Sequence, residues 1–336
     1  MAADDYAVIV GITSYPGLRT LQGPENDARV FREWAVSPAG GQVPDVDGVN
    51  IQMVCSSKYP AAATTPEARP WKADVYAALD KLRALGESKG GRTGRRLYLF
   101  FAGHGITPDN EVDEAALLMA NAVKGGLSHV PGRKVVTYFR AAAYFDQVVL
   151  FMDCCRDAWG STRLQSYDWD VLNRSGPVKH FSGFASQWNE KAREAAFELT
   201  KGKPEVHGVF TAHLITMLRG GSMTAAMLRG LMLNSAKRFA VPSTEYVPVF
   251  EPDAQTAIVL NEGAQPVQFP VSIRFNGLQP GEELEVRDGR FKTVYRDRPA
   301  GSEVAIPLPP TNYEARIRGT TREVVFDVPG QDSITL

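Results

Sequence analysis

Four unbroken apolar runs in the first 153 residues decide most of what this chain can fold into. They are Tyr6–Ile12, Val49–Cys55, Arg96–Ala102 and Val148–Asp153. None alternates apolar with polar residues, so none is built to lie half in water. Each reads as a strand of a parallel sheet covered on both faces. Helical segments separate the runs. Pro24 suits the first position of a helix whose Val30, Phe31, Trp34 and Ala35 share one face. Val75, Ala78, Leu79, Leu82 and Leu85 recur at helical spacing between Trp71 and Leu85, and a third helix is predicted from about Val135 to Phe145. Strands alternating with helices imply right-handed crossovers and an α/β sheet.

Beyond Cys155 the pattern breaks. The stretch from roughly Asp157 to His180 has no clean period, and a loop of that length in a compact domain is usually functional or flexible. Order is predicted to resume with a strand at His180–Ser186. Helices follow from about Phe210 to Leu218 and from about Ala225 to Phe239, and Val247–Glu251 supplies a last strand of the same sheet. The character changes again near Asn261. From there, short β-like runs (Val271–Phe275, Glu283–Arg287, Thr293–Arg296, Val304–Pro307, Tyr313–Arg318 and Glu323–Val328) are punctuated by Asn276-Gly277, Pro280-Gly281, Asp288-Gly289 and Pro329-Gly330. Evenly spaced short strands with turn dipeptides predict a small β-sandwich or barrel. The expected organisation is an α/β domain over residues 1–260, in which residues 1–157 make the large portion and about 178–260 the small one. A sandwich-like accessory domain follows at 265–336.

Composition narrows the function classes. With 336 residues, 44% hydrophobic and 22% charged, the chain can bury a substantial core. A net charge of −1 and no Lys/Arg block give no nucleic-acid surface to expect. The N-terminus lacks a basic stretch followed by an apolar core, and no run of 18 apolar residues occurs. Neither a signal peptide nor a membrane span is therefore expected. Three cysteines, Cys55, Cys154 and Cys155, are too few and too oddly placed for a disulfide framework, and the adjacent pair cannot bridge without strain. A cytoplasmic, reducing setting in which a free thiol can serve chemistry is the simplest expectation.

Chemistry is expected where strands end, because open parallel sheets bind ligands beyond the carboxyl ends of their strands. One strand runs into Gly103-His104-Gly105, another into Asp153-Cys154-Cys155-Arg156. A thiol at its ordinary pKa is only slightly ionised at neutral pH, so a nucleophilic cysteine needs a base or a positive neighbour. His104 could take the thiol proton or protonate a departing amine, and the sequence does not order those roles. Backbone N–H groups at Gly105 and Cys155 could hold a tetrahedral oxyanion. Neighbouring residues at a strand end point opposite ways, so only one cysteine of the pair can face the cleft.

These motifs resemble a known family. Phe100-Phe101-Ala102-Gly103-His104-Gly105 and Phe151-Met152-Asp153-Cys154-Cys155-Arg156 look like the His and Cys strand ends of caspases, metacaspases and bacterial caspase-like peptidases. The separation of 51 residues fits the family spacing of about 50. Val10-Gly11-Ile12-Thr13-Ser14-Tyr15, Glu25-Asn26-Asp27-Ala28 and His207-Gly208-Val209-Phe210-Thr211 look like its first strand, its first helix and its small-subunit segment. The likeness covers about residues 5–255. It implies the caspase-hemoglobinase fold and a cysteine endopeptidase with Cys155, two residues after the Asp, as nucleophile. His104 is then its partner, and Cys154 packs beneath.

The resemblance also bears on specificity. In metacaspase-like peptidases the positions of Asp27 and Asp153 form an acidic pocket for a basic residue before the scissile bond, whereas animal caspases place arginines there. Two acids here favour cleavage after Arg or Lys. Asp27 could instead serve the dipole of its helix, and Asp153 could be a structural acceptor. Arg19 is a rival signal for an acidic-residue pocket, but that pattern needs more than one arginine. Phe184-Ala185-Ser186-Gln187-Trp188 replaces what lines the substrate cleft in relatives, with Ser186 and Trp188 as candidate contacts.

Relatives are commonly zymogens, which makes Arg163 and Arg174 candidate activation sites and an activating protease a candidate partner. Some need calcium; Asp109, Glu111, Asp113 and Glu114 could offer oxygen ligands, although a solvated acidic loop is the stronger reading. No zinc spacing occurs, and no cofactor is expected. Bacterial relatives are often linked to defence, including antiviral defence, and to regulated cell death. The alternative is a catalytically silent caspase fold acting through its β domain; a different class of cysteine acyl hydrolase would cut esters but no peptide.

Overall fold

The computed structural model describes residues 4–158, 164, 169, 176–200, 202–236, 247–252, 258–261, 268–288, 291–309, 311–328 and 333–336. In chain order the elements begin with β1 (Asp5–Gly11), α1 (Pro24–Val36), β2 (Ile51–Cys55), α2 (Lys72–Ser88), β3 (Gly94–Ala102), β4 (Gly105–Thr107), β5 (Ala116–Leu118) and β6 (His129–Pro131). Next come α3 (Gly132–Ala142), β7 (Phe145–Asp153), β8 (Asp157–Ala158), β9 (Lys179–Phe184), β10 (Glu194–Thr200), β11 (Lys203–Gly208), α4 (Val209–Leu218), β12 (Met223–Thr224), α5 (Ala225–Ala236), β13 (Val249–Pro252) and β14 (Val259–Asn261).

The six-stranded central sheet has the order β13-β9-β7-β3-β1-β2. All neighbours are parallel except the edge strand β13, which runs antiparallel to β9. The unbroken apolar runs are explained by what lies on each face. Val8, Val10, Leu97, Leu99 and Phe101 enter one core with Val75, Leu79 and Leu82 of α2 and Phe139 of α3. Their neighbours Ala7, Ile9, Tyr98 and Phe100 enter a second core with Phe31 and Trp34 of α1 and Leu214 and Ile215 of α4. The side-chain period of two is intact; both halves are buried. Phe31 stacks on Phe100 at 4.4 Å, so truncating it to Ala is expected to cost about 3–5 kcal/mol.

Several predicted boundaries move by a few residues. The third helix starts at Gly132 and ends at Ala142, not Phe145, because Ala143 takes a left-handed turn (φ 51°) and Phe145 opens β7. A helical period cannot be told from the apolar start of the next strand when the two abut. The stretch after Cys155 begins with the short strand β8, which pairs with β4. Arg163 and Arg174 lie outside the described residues.

The C-terminal region adds β15 (Phe269–Arg274), β16 (Leu284–Asp288), β17 (Thr293–Asp297), β18 (Glu303–Leu308), β19 (Thr311–Ile317), β20 (Glu323–Val328) and β21 (Ser333–Thr335). They form a three-stranded sheet, β18-β15-β21, and a four-stranded sheet, β17-β16-β19-β20. Val271, Ile273 and Ile306 from the first meet Leu284, Val286, Ala315 and Phe326 from the second in a core of their own. This is the sandwich that alternating strands with turn dipeptides predict. Among the described residues no helix is long and apolar enough to cross a membrane.

Candidate active site

Strand register alone brings the key residues together. Ala102 of β3 pairs with Asp153 of β7, and His104 and Cys155 each lie two residues beyond that pair. Met152 pairs with Phe184 of β9, and Ser186 likewise lies two residues beyond Phe184. The sheet therefore delivers His104, Cys155 and Ser186 side by side at one rim. The following strands lock the arrangement, since Ile106 of β4 pairs with Asp157 of β8. Gly105 opens β4 directly after His104, so close to the other loop that a Cβ there would collide with the Cys155 carbonyl and the Cys154 thiol.

A cleft of about 770 Å³ opens over this rim. His104, Cys155, Asp27, Asp153 and Ser186 line it, together with Asp157 and residues 189–194. Cys155 is half-buried on the cleft wall, while Cys154 is only 2% exposed and packs beneath. Burial pushes the Cys155 thiol up to about 11, with the charge of Asp157 adding to the effect. Its Sγ lies 3.9 Å from the Ala192 carbonyl. The thiol is thus protonated at rest, and ionising it requires a base.

His104 is oriented from three sides. Its N–H donates to the Tyr15 hydroxyl at 3.1 Å, its carbonyl accepts from Leu118 N–H at 2.8 Å, and the Tyr15 ring meets the imidazole edge-on at 4.7 Å. The Tyr15 hydroxyl in turn donates to the Leu118 carbonyl at 3.1 Å. Imidazole Nε2 stands 2.6 Å from the Arg19 carbonyl. A carbonyl can only accept, so Nε2 carries a proton and Nδ1 is the basic nitrogen of the neutral ring.

The floor of the cleft is acidic. Asp27 and Asp153 are 1% and 6% exposed, and among the described residues neither has a Lys or Arg partner. Burial raises Asp27 well above the ordinary carboxylate range, and the charge of Asp153 raises it further. Burial takes Asp153 to about 6, against hydrogen bonds from Thr211 that favour its ionised form. Thr211 supplies both its N–H (3.0 Å) and its hydroxyl (2.6 Å) to one oxygen, Oδ2. Gly208 N–H reaches Asp27 at 3.0 and 3.2 Å, and a Cβ at position 208 would collide with the Asp153 carboxylate. Only glycine lets the segment thread between the two acids.

The sequence reading gave no role to Glu194, which lines the cleft, or to His207, which lies behind Asp27. Glu194, at the start of the β10–β11 hairpin, brings a third carboxylate; it accepts from Gly23 N–H at 2.6 Å and Gln22 N–H at 3.1 Å at the start of α1. His207, at the other end of the hairpin, is hydrogen-bonded to Asp27. Arg193 joins Arg19 as a second arginine of the cleft; both are exposed, whereas the two aspartates are buried. Trp188 is 44% exposed and is not among the residues that line the cleft. Two carboxylates of the acidic loop are engaged within the protein, while Asp109 and Asp113 are exposed; Glu111 pairs with Lys134 at 3.0 Å. Glu114 accepts from Ala115 and Arg133 N–H groups at 3.0 and 2.9 Å. Among the described residues no cluster of three His, Cys, Asp or Glu side chains is arranged for a metal.

The chain is similar to known proteins. The family model described as the caspase domain matches residues 4–256. A probable protease of a Desulfuromonadales bacterium is 25% identical over 224 residues, which make up 64% of this chain and 26% of that protein. The chain thus spans about a quarter of that relative's length. Among solved structures, a Geobacter sulfurreducens protein aligns over 77% of this chain and 97% of its own, at 14% identity and a TM-score of 0.46. Caspase-1 of Spodoptera frugiperda aligns over 77% of this chain and 90% of its own, at 12% identity and a TM-score of 0.45.

Proposed function

The chain belongs to the caspase-domain family, and on that premise we propose that it is a cysteine endopeptidase cutting after Arg or Lys. The observation that carries the reading is one cleft lined by Cys155, His104 and the carboxylates Asp27, Asp153 and Glu194. Nδ1 of His104 takes the Cys155 proton, since Nε2 is committed to the Arg19 carbonyl. The thiolate attacks the peptide carbonyl, and backbone N–H groups of Gly105 and Cys155 receive the developing oxyanion. His104 then returns its proton to the departing amine. Water releases the acyl group from sulfur.

Buried carboxylates without cations of their own support basic specificity, because a substrate guanidinium or ammonium supplies the missing charge. Exposed Arg19 and Arg193 suit peptide carbonyls or acidic residues farther from the scissile bond. The proposed organisation is a peptidase domain at 1–260 followed by an accessory sandwich at 265–336, working in the cytoplasm in defence or cell death. A thiol held high and turned to the Ala192 carbonyl fits an enzyme that must be switched on, with Arg163 and Arg174 as the proposed cleavage points.

Fluorogenic peptides ending in Arg, Lys, Asp or Ala test the reading. Turnover of the Arg and Lys peptides, lost in Cys155→Ala, is expected; release from the Asp peptide alone would overturn the specificity. The same thiol geometry favours a second reading, a silent caspase fold. It predicts no turnover of any peptide and no labelling by an Arg chloromethyl ketone. N-terminal sequencing of active protein checks the activation step, because an intact chain at full activity rules out a required cut.

A further inference from the structure

A carboxylate that grips a cation must itself be held from the far side. Asp153 is held through Oδ2 by Thr211, and among the described residues its Oδ1 accepts no hydrogen bond. Asp27 is held by Gly208 N–H and, among the described residues, by one side chain, His207, whose Nδ1 lies 2.9 Å from Oδ1. Both partners of that contact are almost completely inaccessible to water. The form of Asp27 that holds a cation is the carboxylate, which only accepts, so with a basic side chain bound His207 Nδ1 is the donor.

The charge on that imidazole matters. An imidazolium would cancel Asp27, leaving less charge for an incoming cation, whereas a neutral ring orients Asp27 and leaves its charge intact. Charged groups face the pair from every neighbouring element. Arg29 and Glu33 of α1, Glu205 of β11 and Arg219 after α4 surround His207, while Asp153, Glu194 and Arg29 surround Asp27. Burial, helped by Arg29, holds His207 below its ordinary range.

We infer that His207 is a positioning residue for specificity: a neutral donor that pins Asp27 Oδ1 and turns Oδ2 toward the basic side chain of the substrate. The inference rests on the Arg/Lys-directed reading of the cleft. His207 reaches the substrate through Asp27 alone.

Kinetics on an Arg-ending fluorogenic peptide with His207→Leu and His207→Asn test this, since an asparagine amide can place an N–H near the position of Nδ1. His207→Leu is expected to raise KM about tenfold. The rate of Cys155 labelling by iodoacetamide, a small neutral reagent, stays within about twofold in the same variant. His207→Asn recovers most of the lost affinity. Between pH 7.5 and 5.5 the wild-type KM climbs more steeply than that of His207→Asn, which has no imidazole to protonate beside Asp27. An unchanged KM in His207→Leu would overturn the inference. So would equal losses of kcat, labelling rate and Tm in both variants, which mark a purely structural residue. If the wild type proves to cut after a non-basic residue, the specificity reading fails separately. The contact is then judged by a double-mutant cycle of His207→Leu with Asp27→Asn on Tm, where additive shifts would sink it.

Discussion

Glu285 in the C-terminal sandwich and Asp27 and Asp153 in the cleft are all buried acids, yet their surroundings are inverted. Glu285 sits at the centre of a sheet face with no exposed area, accepting from Arg296, from Arg316 at 2.6 and 2.8 Å and from Thr293 at 2.9 Å, with Arg287 at 3.2 Å. Burial works to raise its pKa, but hydrogen bonds from Arg296, Thr293 and Arg316 bring it down to about 2. Asp27 and Asp153 have hydrogen bonds but no Arg or Lys partner among the described residues, and both are raised. A buried acid with its cations in place belongs to the architecture. One that lacks them is kept at a cost to stability and is available to a charge from outside.

The comparison breaks first if the cleft is not a working site. Cys155→Ala is expected to lower peptidase activity by at least about a thousandfold, and Cys154→Ala to leave the chemistry in place while loosening the packing. A fluorogenic assay on the folded variants separates the two. Asp153→Asn and Asp27→Asn are expected to lower kcat/KM for an Arg peptide about a hundredfold, since each removes a charge-assisted contact. Glu285→Gln should leave kcat/KM within about twofold; a comparable loss there would erase the distinction.

Titration sharpens it. Asp153 ionises near 6, so the KM for a basic peptide is expected to rise as pH falls through about 6, before His104 chemistry is compared at saturating substrate. Stability should move oppositely at the two places. A raised folded pKa means that Asp153 contributes stability below its unfolded pKa of about 4 and loses it as pH rises through about 6. Asp153→Asn is therefore expected to be more stable than wild type by about 2 kcal/mol at pH 8, with the gain gone at pH 4. For Glu285 the sign reverses, because its stabilisation is present above about 4.3 and is lost as pH falls toward about 2. Glu285→Gln should thus cost about 1–3 kcal/mol at pH 7, read by denaturant melts.

The central strands were legible because burial on both faces writes itself as unbroken apolar sequence, as in Leu97-Tyr98-Leu99-Phe100-Phe101. The four-stranded side sheet was not, since three-residue strands such as β4 and β5 are too short to show any period. The β10–β11 hairpin reads as polar sequence because much of it is exposed, so nothing apolar announces it. His104 and Cys155 stood out through local strand-end motifs. Glu194 did not, and His207 did so only as part of a family-like segment, because their partners Gly23 and Asp27 lie 171 and 180 residues away. Asp288-Gly289 did mark where β16 gives way to β17, but β21, three residues following a Pro-Gly pair, escaped notice.

That distance has a consequence for the order in which the protein comes into being. During synthesis the chain emerges from its N-terminus, so the thiol and the imidazole are both outside the ribosome soon after residue 155 is made. The groups that hold Asp27, His207 and Gly208, do not yet exist, nor does Thr211, which holds Asp153. Closing so long a loop has to wait until those residues have been made. A nascent or truncated chain therefore carries Cys155 and His104 without the groups that fix the floor of the cleft, so on the proposed reading selective cutting must wait until residues 207–211 are made and docked.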